Sequence, residues 1–481
     1  MERLKADFRD KELFVRLFGA DAYAVGGYVR DLIRGIPSGD VDILIARHNI
    51  EEIVGRIRPH GKVDLVGKSF GIIKFTIKGK TYDIALPRKD APHCAGLPGH
   101  KDFIISADPQ LPIEKDLERR DFRCNSLAMR LSDGALIDPF EGYKDTRARL
   151  IRLTNPATFP EDPLRVLRVA RFSSVLGFGV DPAIYEITKN IDLSGLSVER
   201  VNDELFKILL FSAKPSVGLE EMFKVGALGQ LFPELYRLTL SIQDSVFHPE
   251  KDDFGHHTVW QHVKLTVDQA KRIADLAELQ AGRRLALLLA ALYHDVGKPQ
   301  TAEWEFKKGR MAITNNCHDV ESEKTVKKIL GRFRIFSWNG INLKKIVPVL
   351  IKSHHRLSDI WAHRESVTKK AFNRLAVDTE GEIDLLIHLD AADRAGRRAG
   401  PVKSFDRQAR WFLRQFEVWN VSRETIKPLL MGRDLIKLGV APGPEMGKIL
   451  KKLYKAQLDN EFETKAKGLK LAANIIQGKK R

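Results

Sequence analysis

Apolar positions over the first 145 residues come in short runs. Tyr23–Val25, Val41–Ile45, Gly71–Ile77 and Thr81–Leu86 are too short for helices and rich in β-branched and aromatic residues, which predicts strands. The stretches between them carry helical spacing. Beyond about residue 160 nearly everything has helical periodicity, broken by polar segments such as Ser241–Asp253 and Ala395–Lys403. The longest apolar run, Leu285 to Tyr293, predicts a buried helix and falls well short of the roughly 18 residues of a membrane span. No internal repeat or long low-complexity segment interrupts this order. The pattern predicts an α+β chain: a small mixed head over 1–145, then a mostly α-helical neck over 146–240, a body over 241–400 and a tail over 401–481.

Charge changes this picture in one region. The 481 residues carry 80 Lys+Arg against 63 Asp+Glu, a net +17. By segment the balance is +3 for 1–150, −2 for 151–300, +6 for 301–400 and +10 for 401–481. The excess in the last third permits a polyanionic partner. In the tail, Leu450, Leu453, Leu469, Leu471 and Ile475 interleave with lysines, which predicts helices and not a disordered extension. Cys94, Cys124 and Cys317 have no spacing that suggests disulfides or zinc. The charged N-terminus lacks a signal-peptide apolar stretch, so a soluble, cytoplasmic chain is expected.

The head carries the first candidate chemistry. Ala24-Val25-Gly26-Gly27-Tyr28-Val29-Arg30-Asp31 takes a strand into a glycine pair and then a helix. Glycines there let backbone approach a ligand, and the helix N-terminus favours phosphate. Downstream, Asp40 and Asp42 lie two apart on an apolar strand, so both point to one face. Two such carboxylates make a hard oxygen site suited to Mg²⁺ and to in-line phosphoryl chemistry. Each half alone reads better as a turn or a solvated strand edge. Together, with Arg30 one turn into the helix, they favour a phosphate site.

These residues carry a resemblance. Gly-Gly-x-Val-Arg-Asp followed by Asp-x-Asp resembles the nucleotidyltransferase head of class II tRNA nucleotidyltransferases (CCA-adding enzymes) and bacterial poly(A) polymerases. Arg119-Arg120-Asp121-Phe122-Arg123-Cys124-Asn125-Ser126-Leu127 looks like the family's Arg-Arg-Asp-Phe-Thr-x-Asn-Ala-Leu block, with Arg123, Cys124 and Ser126 as departures. The resemblance implies nucleotide contact by Arg120 and, more weakly, by Asn125. Glu161-Asp162-Pro163-Leu164-Arg165 looks like the family's base-selecting Glu-Asp-x-x-Arg motif. There Asp162 sits where an N-cap belongs and Pro163 at the first helical position. Arg165, Arg168 and Arg171 recur every three residues on one face; such arginines repel unless an anion lies there, and a triphosphate would serve. C and A both present an amine donor beside a ring-nitrogen acceptor, which a carboxylate (Asp162) and a guanidinium (Arg165) complement. U and G present the reverse and would leave both groups unpaired. Between the blocks, Asp83 is a candidate third carboxylate. A Gly- and Pro-rich loop runs to about residue 103; in relatives that add the terminal A it usually opens Arg-x-Glu, and here Asp90 replaces the Glu.

The helical body holds a second constellation. His262, His294-Asp295 at the end of the apolar run, and Asp393 resemble an HD-domain phosphohydrolase motif. Imidazole and carboxylate together suit a divalent transition metal, with His318 and one of His354 or His355 as further ligands or phosphate-facing groups. The resemblance implies a cyclic-phosphodiesterase or phosphatase activity for that domain. The sequence thus predicts addition of C and A from CTP and ATP to the tRNA 3′ end. Asp40 and Asp42 hold Mg²⁺, while Gly26, Gly27, Arg30, Arg120, Arg168 and Arg171 hold the nucleotide. The competing readings are A-only or CC-only addition, a poly(A) polymerase, an HD phosphohydrolase with an RNA-binding head, and, least favoured, a non-enzymatic RNA scaffold.

Overall fold

A computed structural model describes residues 4–37, 39–66, 72–91, 104–397, 400–419, 427–459 and 461–478. They form two compact units, Met1–Ser212 with Val217–Phe232, and Ala213–Ser216 with Pro233–Arg481.

In the first unit, β1 (Ala22–Val25), β2 (Asp42–Ile45), β3 (Lys62–Val66), β4 (Ile72–Ile77) and β5 (Lys80–Ala85) join one sheet. A separate ribbon pairs β6 (Arg88–Ala91) with β7 (Ile104–Ala107), and β8 (Ala128–Arg130) and β9 (Leu136–Ile137) complete the sheet. Its order is β3-β4-β5-β2-β1-β8-β9, antiparallel except for the parallel β2–β5 pair. The period-2 alternation of strands assigns the faces. Ala22, Ala24, Ile43 and Ile45 enter the main core with Phe14, Phe75 and Tyr82. Tyr23, Val25, Leu44 and Ala46 face the other way, against Ile113 and Leu117. Asp42 shares the parity of Leu44, so it falls on that second face. Register seats it beside Val25 of β1 and Asp83 of β5. Gly26, next after Val25, donates its N–H to Leu127 O at 2.9 Å, which draws the Asn125 block to the same edge.

The strands expected at the start of the head form where the pattern placed them; β3, β8, β9 and the β6–β7 ribbon were not anticipated. The side chain of Asp90, Cys94 and the loop over 92–103 lie outside the described residues. Pro163, not Asp162, is the residue preceding the Leu164–Leu176 helix, although Asp162 still accepts the Leu164 N–H at 3.1 Å.

The second unit packs the Val259–Leu276 and Ile383–Gly396 helices together with Ala281–Tyr293, His318–Arg332 and Leu343–Ser353. Leu285 to Tyr293 is wholly buried, as a core helix requires. A Cβ on Gly396 would lie 2.5 Å from Thr266 Oγ1, so glycine there permits the close approach of the two long helices. The mostly helical expectation for this half holds, with one departure. Ala302–Lys307 and Arg310–Asn315 form an antiparallel hairpin, turning through Lys308 and Gly309 at positive φ. The tail forms the expected helices, Pro444–Leu458 and Lys465–Gly478. Leu453 is buried there and Leu450, Leu469, Leu471 and Ile475 pack against their own small core. No helix among the described residues is long and apolar enough to cross a membrane.

Candidate active site and metal centre

A cavity of about 840 Å³ opens on the second face of the head sheet. Gly26, Gly27, Arg30, Asp40, Asp42, Arg120, Asn125, Asp162, Arg165, Arg168 and Arg171 all line it, so the site residues singled out in the head and the neck meet in one place. Asp83 does too. Burial, then the carboxylates of Asp40 and Asp83, raise the Asp42 carboxyl above its ordinary value, against the pull of Arg120 and Arg88. An all-oxygen donor set under mutual repulsion fits a hard divalent cation.

Gly26 has φ +67, and a Cβ there would come within 2.7 Å of Arg120 Nη1. Arg120 itself donates from Nη2 to Asp116 Oδ2 at 3.1 Å, while Arg119 takes the other oxygen of Asp116 at 2.8 Å. Asp116 is fully buried; burial pushes its carboxyl up, and the two guanidinium groups outweigh that and hold it below the usual value. Asp121 is a second hub. It accepts from Arg168 Nε at 2.7 Å, from Asn125 Nδ2 at 3.1 Å and from Phe122 N at 2.8 Å. Asn125 in turn accepts from Arg30 Nη1 at 2.7 Å. Arg30, Arg168 and Arg171 also cluster around one ring, Phe172, at 5.6, 5.2 and 4.1 Å.

The three arginines expected to need an anion on their shared face find protein partners. Arg168 pairs with Asp121, and Arg171 with Glu204 at 2.9 Å. Arg165 donates to the backbone carbonyls of Thr158 and Arg119, both at 2.7 Å. Asp162 is held by Arg200, whose Nη2 lies 3.1 Å from each carboxylate oxygen. Sequence reading missed Asp116, Phe172, Arg200 and Glu204. Only Asp116 had a local signal, as the acid three and four residues ahead of the Arg119-Arg120 pair.

In the second unit the predicted histidines and carboxylates also converge. His262 Nε2 lies 2.8 Å from Asp393 Oδ1 and 3.4 Å from His294 Nε2, and His294 Nε2 lies 3.2 Å from Asp295 Oδ2. His318 Nε2 sits 3.2 Å from Asp295 Oδ1 and 2.9 Å from His355 Nε2. His354 joins His318 and His355 as a group with ligand atoms within 4.8 Å of one another. Nitrogen-rich donors of this kind fit a borderline divalent metal. Both His354 and His355 stand in that group, where one of the two was expected. The supporting residues come from the Ser241–Asp253 stretch, which the hydropathy pattern had reduced to a polar break. Glu250 Oε1 is 2.9 Å from His262 Nδ1 and 3.0 Å from His248 Nδ1. Burial acts upward on Glu250, and these two imidazole bonds hold its carboxyl down to about 2. Lys298, buried, donates to Asp295 Oδ2 at 2.7 Å and to Gln243 at 3.0 Å.

Comparison with known proteins gives three family matches along the chain. Residues 22–152 match the family described as "Poly A polymerase head domain". Residues 177–238 match "Probable RNA and SrmB- binding site of polymerase A" and 259–396 match "HD domain". A protein of Actinobacillus pleuropneumoniae serotype 5b named "Multifunctional CCA protein" is 31% identical over 403 residues, 82% of this chain and 90% of the relative. One of the same name from Stenotrophomonas maltophilia is 33% identical over 320 residues, 65% of this chain and 71% of that one. Among solved structures, the Bacillus stearothermophilus CCA-adding enzyme in complex with CTP shares the fold, with a TM-score of 0.63 at 23% identity over 98% of each chain. The chain belongs to the multifunctional CCA protein family, its poly(A) polymerase-type head joined to an HD domain.

Proposed function

We propose that this enzyme adds C and A, taken from CTP and ATP, to the 3′ end of tRNA without a template, and that it works in the cytoplasm. The observation that carries the reading is the division of one cavity into an acidic edge, Asp40, Asp42 and Asp83, and an arginine-rich wall. The acidic edge would hold Mg²⁺, which when bound neutralises phosphate charge and favours the alkoxide of the attacking hydroxyl. Arg30 and Arg120, aimed by Asn125 and Asp116, grip the triphosphate; Arg168 and Arg171 add positive potential behind them. The tRNA 3′-oxygen bonds to the α-phosphorus, the bond to the leaving pyrophosphate breaks, and the hydroxyl proton passes to solvent water.

Asp162 and Arg165 read the base. Their own partners, Arg200 and two backbone carbonyls, fix their orientation, so selection costs little reorganisation. We assign transfer to 1–145, base selection to 146–240 and the HD centre to 241–400. The basic tail over 401–481 would grip the tRNA along its phosphates, with affinity that falls steeply with salt. The His-rich centre supports a second activity, hydrolysis of phosphate esters such as a 2′,3′-cyclic phosphate, through a divalent transition metal. The decisive experiment supplies tRNAs ending before CCA, after C and after CC, with each nucleotide singly. Addition of A alone, and only to the CC-ended tRNA, would replace the proposal with A-only addition. Incorporation of GTP or UTP would contradict the selector.

A further inference from the structure

We propose that Phe172 is a positioning residue for the triphosphate: its ring gathers Arg30, Arg168 and Arg171 by cation–π attraction and brings no negative charge to the cavity. The inference rests on reading that cavity as the nucleotide site and names what holds its arginine wall in order.

Three guanidinium carbons surround one ring centroid, Arg171 at 4.1 Å, Arg168 at 5.2 Å and Arg30 at 5.6 Å. All fall within the roughly 6 Å over which a ring quadrupole draws a cation. They come from two elements: Arg30 from the Gly27–Arg34 helix, and Arg168 and Arg171, like Phe172, from Leu164–Leu176. The ring thus joins arginines that no shared helix aligns. Phe122, fully buried, meets it in a T-shaped contact, centroids 5.7 Å apart and planes at 84°, which fixes the tilt of the ring. Phe172 itself is only half-buried and lines the cavity, so the arginines it gathers stand at the cavity wall.

Charge explains why a ring stands here and not an acid. Each arginine already has a carboxylate partner: Asp31 for Arg30 at 3.0 Å, Asp121 for Arg168 at 2.6 Å and Glu204 for Arg171 at 2.9 Å. Three like charges still crowd around one point. Burial, which Glu204 opposes and Arg168 reinforces, holds the Arg171 guanidinium below its ordinary value. A further carboxylate in place of Phe172 would relieve that crowding, and would also repel the triphosphate the arginines are there to meet. A π face attracts each cation and carries no net charge, so an entering phosphate meets no rival anion. Phe172 acts through the arginines and not on the nucleotide.

The test uses the full chain with Phe172→Leu and, by nonsense suppression, with mono-, di- and trifluorinated phenylalanine in place of Phe172. The fluorinated rings keep the shape of the side chain and weaken its quadrupole in steps. KM and kcat are measured for CTP on tRNA lacking CCA and for ATP on tRNA ending in CC. KM for both nucleotides should climb with each added fluorine, to about 5- to 30-fold in the trifluorinated ring and in Phe172→Leu, with kcat changing less than about twofold. If circular dichroism shows Phe172→Leu unfolded, the fluorinated series, which keeps the volume, carries the test. A KM indifferent to fluorination overturns the proposal and leaves Phe172 a packing residue, even where Phe172→Leu is impaired. Arg120→Met is assayed beside them: an unchanged nucleotide KM in that variant overturns the reading of the cavity as the nucleotide site, whatever the ring does.

Discussion

Asp162→Asn tests the base selector most directly. The substitution keeps the shape of the side chain and removes one acceptor. In the parent, Arg200 Nη2 stands 3.1 Å from both carboxylate oxygens, so either placement of the amide sets an N–H donor against a guanidinium donor. With Leu164 N donating to Oδ1 at 3.1 Å, the amide oxygen stays there and the NH₂ is turned out. The exocyclic amine of C or A then loses a charged acceptor, a loss of about 1.5–3 kcal/mol for a hydrogen bond to a charged group. That is roughly 10- to 150-fold in kcat/KM for CTP and ATP. The new donor suits O4 of U and O6 of G, while Arg165 still opposes their ring N–H, so UTP and GTP gain only part of what the others lose. Selectivity for CTP over UTP should therefore shrink by about two orders of magnitude without inverting. Single-turnover incorporation of each nucleotide into tRNA lacking CCA measures it. Unchanged selectivity in Asp162→Asn would refute the assignment. Arg200→Met serves as companion: it frees Asp162 to move, and should lower kcat/KM for CTP and ATP about tenfold with selectivity largely kept.

Other perturbations follow from the same geometry. Gly26→Ala forces a Cβ into a position 2.7 Å from Arg120 Nη1 and strains a φ of +67, at about 1–3 kcal/mol. Nucleotide KM should rise at least tenfold, and an unaltered KM would detach Arg120 from the triphosphate. Asp116 is held below its ordinary pKa, so its contribution to stability is present above the unfolded value near 4 and is lost as pH falls through the folded value. Asp116→Asn should flatten the decline of urea-measured stability below pH 4. Gly396→Val drives a side chain into Thr266, 2.5 Å from the Cβ position; it should cost about 1–3 kcal/mol in chemical denaturation. It should also part Asp393 from His262, so that the helical body retains less metal. Chelation should abolish nucleotide addition, and Mg²⁺ should restore it in the parent chain but not in Asp42→Ala.

The head was legible because its chemistry is written in short contiguous blocks whose spacing matches strand and helix periods. Asp40-Val41-Asp42 marks two carboxylates that do line one cavity, although β2 begins only at Asp42 and Asp40 reaches it from the segment before the strand, and Gly26-Gly27 declares a turn. Arg200 and Glu204 were not legible. They lie on the Val198–Phe211 helix, 38 residues beyond Asp162 and 33 beyond Arg171, and only tertiary packing brings them to the site. For the same reason the pattern gave no sign that Arg168 and Arg171 meet carboxylates of this chain, Asp121 and Glu204, and that Arg165 meets backbone carbonyls. His248 and Glu250 were lost to a different cause. Their segment has no regular secondary structure around them, so periodicity passes over it, although both side chains support a buried histidine. The hairpin at Ala302–Asn315 was readable and was not read. Trp304 and Phe306 alternate with Glu303 and Glu305 ahead of a Lys-Gly turn, a period of two inside a helical stretch.

The placement of the histidines has a local cause that links sequence to metal chemistry. The last carbonyls of an α-helix have no intrahelical N–H to accept. His294 follows the Ala281–Tyr293 helix and His354 follows Leu343–Ser353, and each turns Nδ1–H back onto the carbonyl three residues earlier. That bond ties each ring to a carbonyl at the buried end of its helix, where Ile351 O also accepts the His354 N–H at 3.4 Å, and it fixes the tautomer that turns Nε2 inward. A helix that stops at histidine thus carries an imidazole into the cluster, and the residue after it, Asp295 or His355, lands beside the first. This is why His-Asp and His-His recur here as adjacent pairs, and why deleting a single imidazole should disturb metal affinity more than fold.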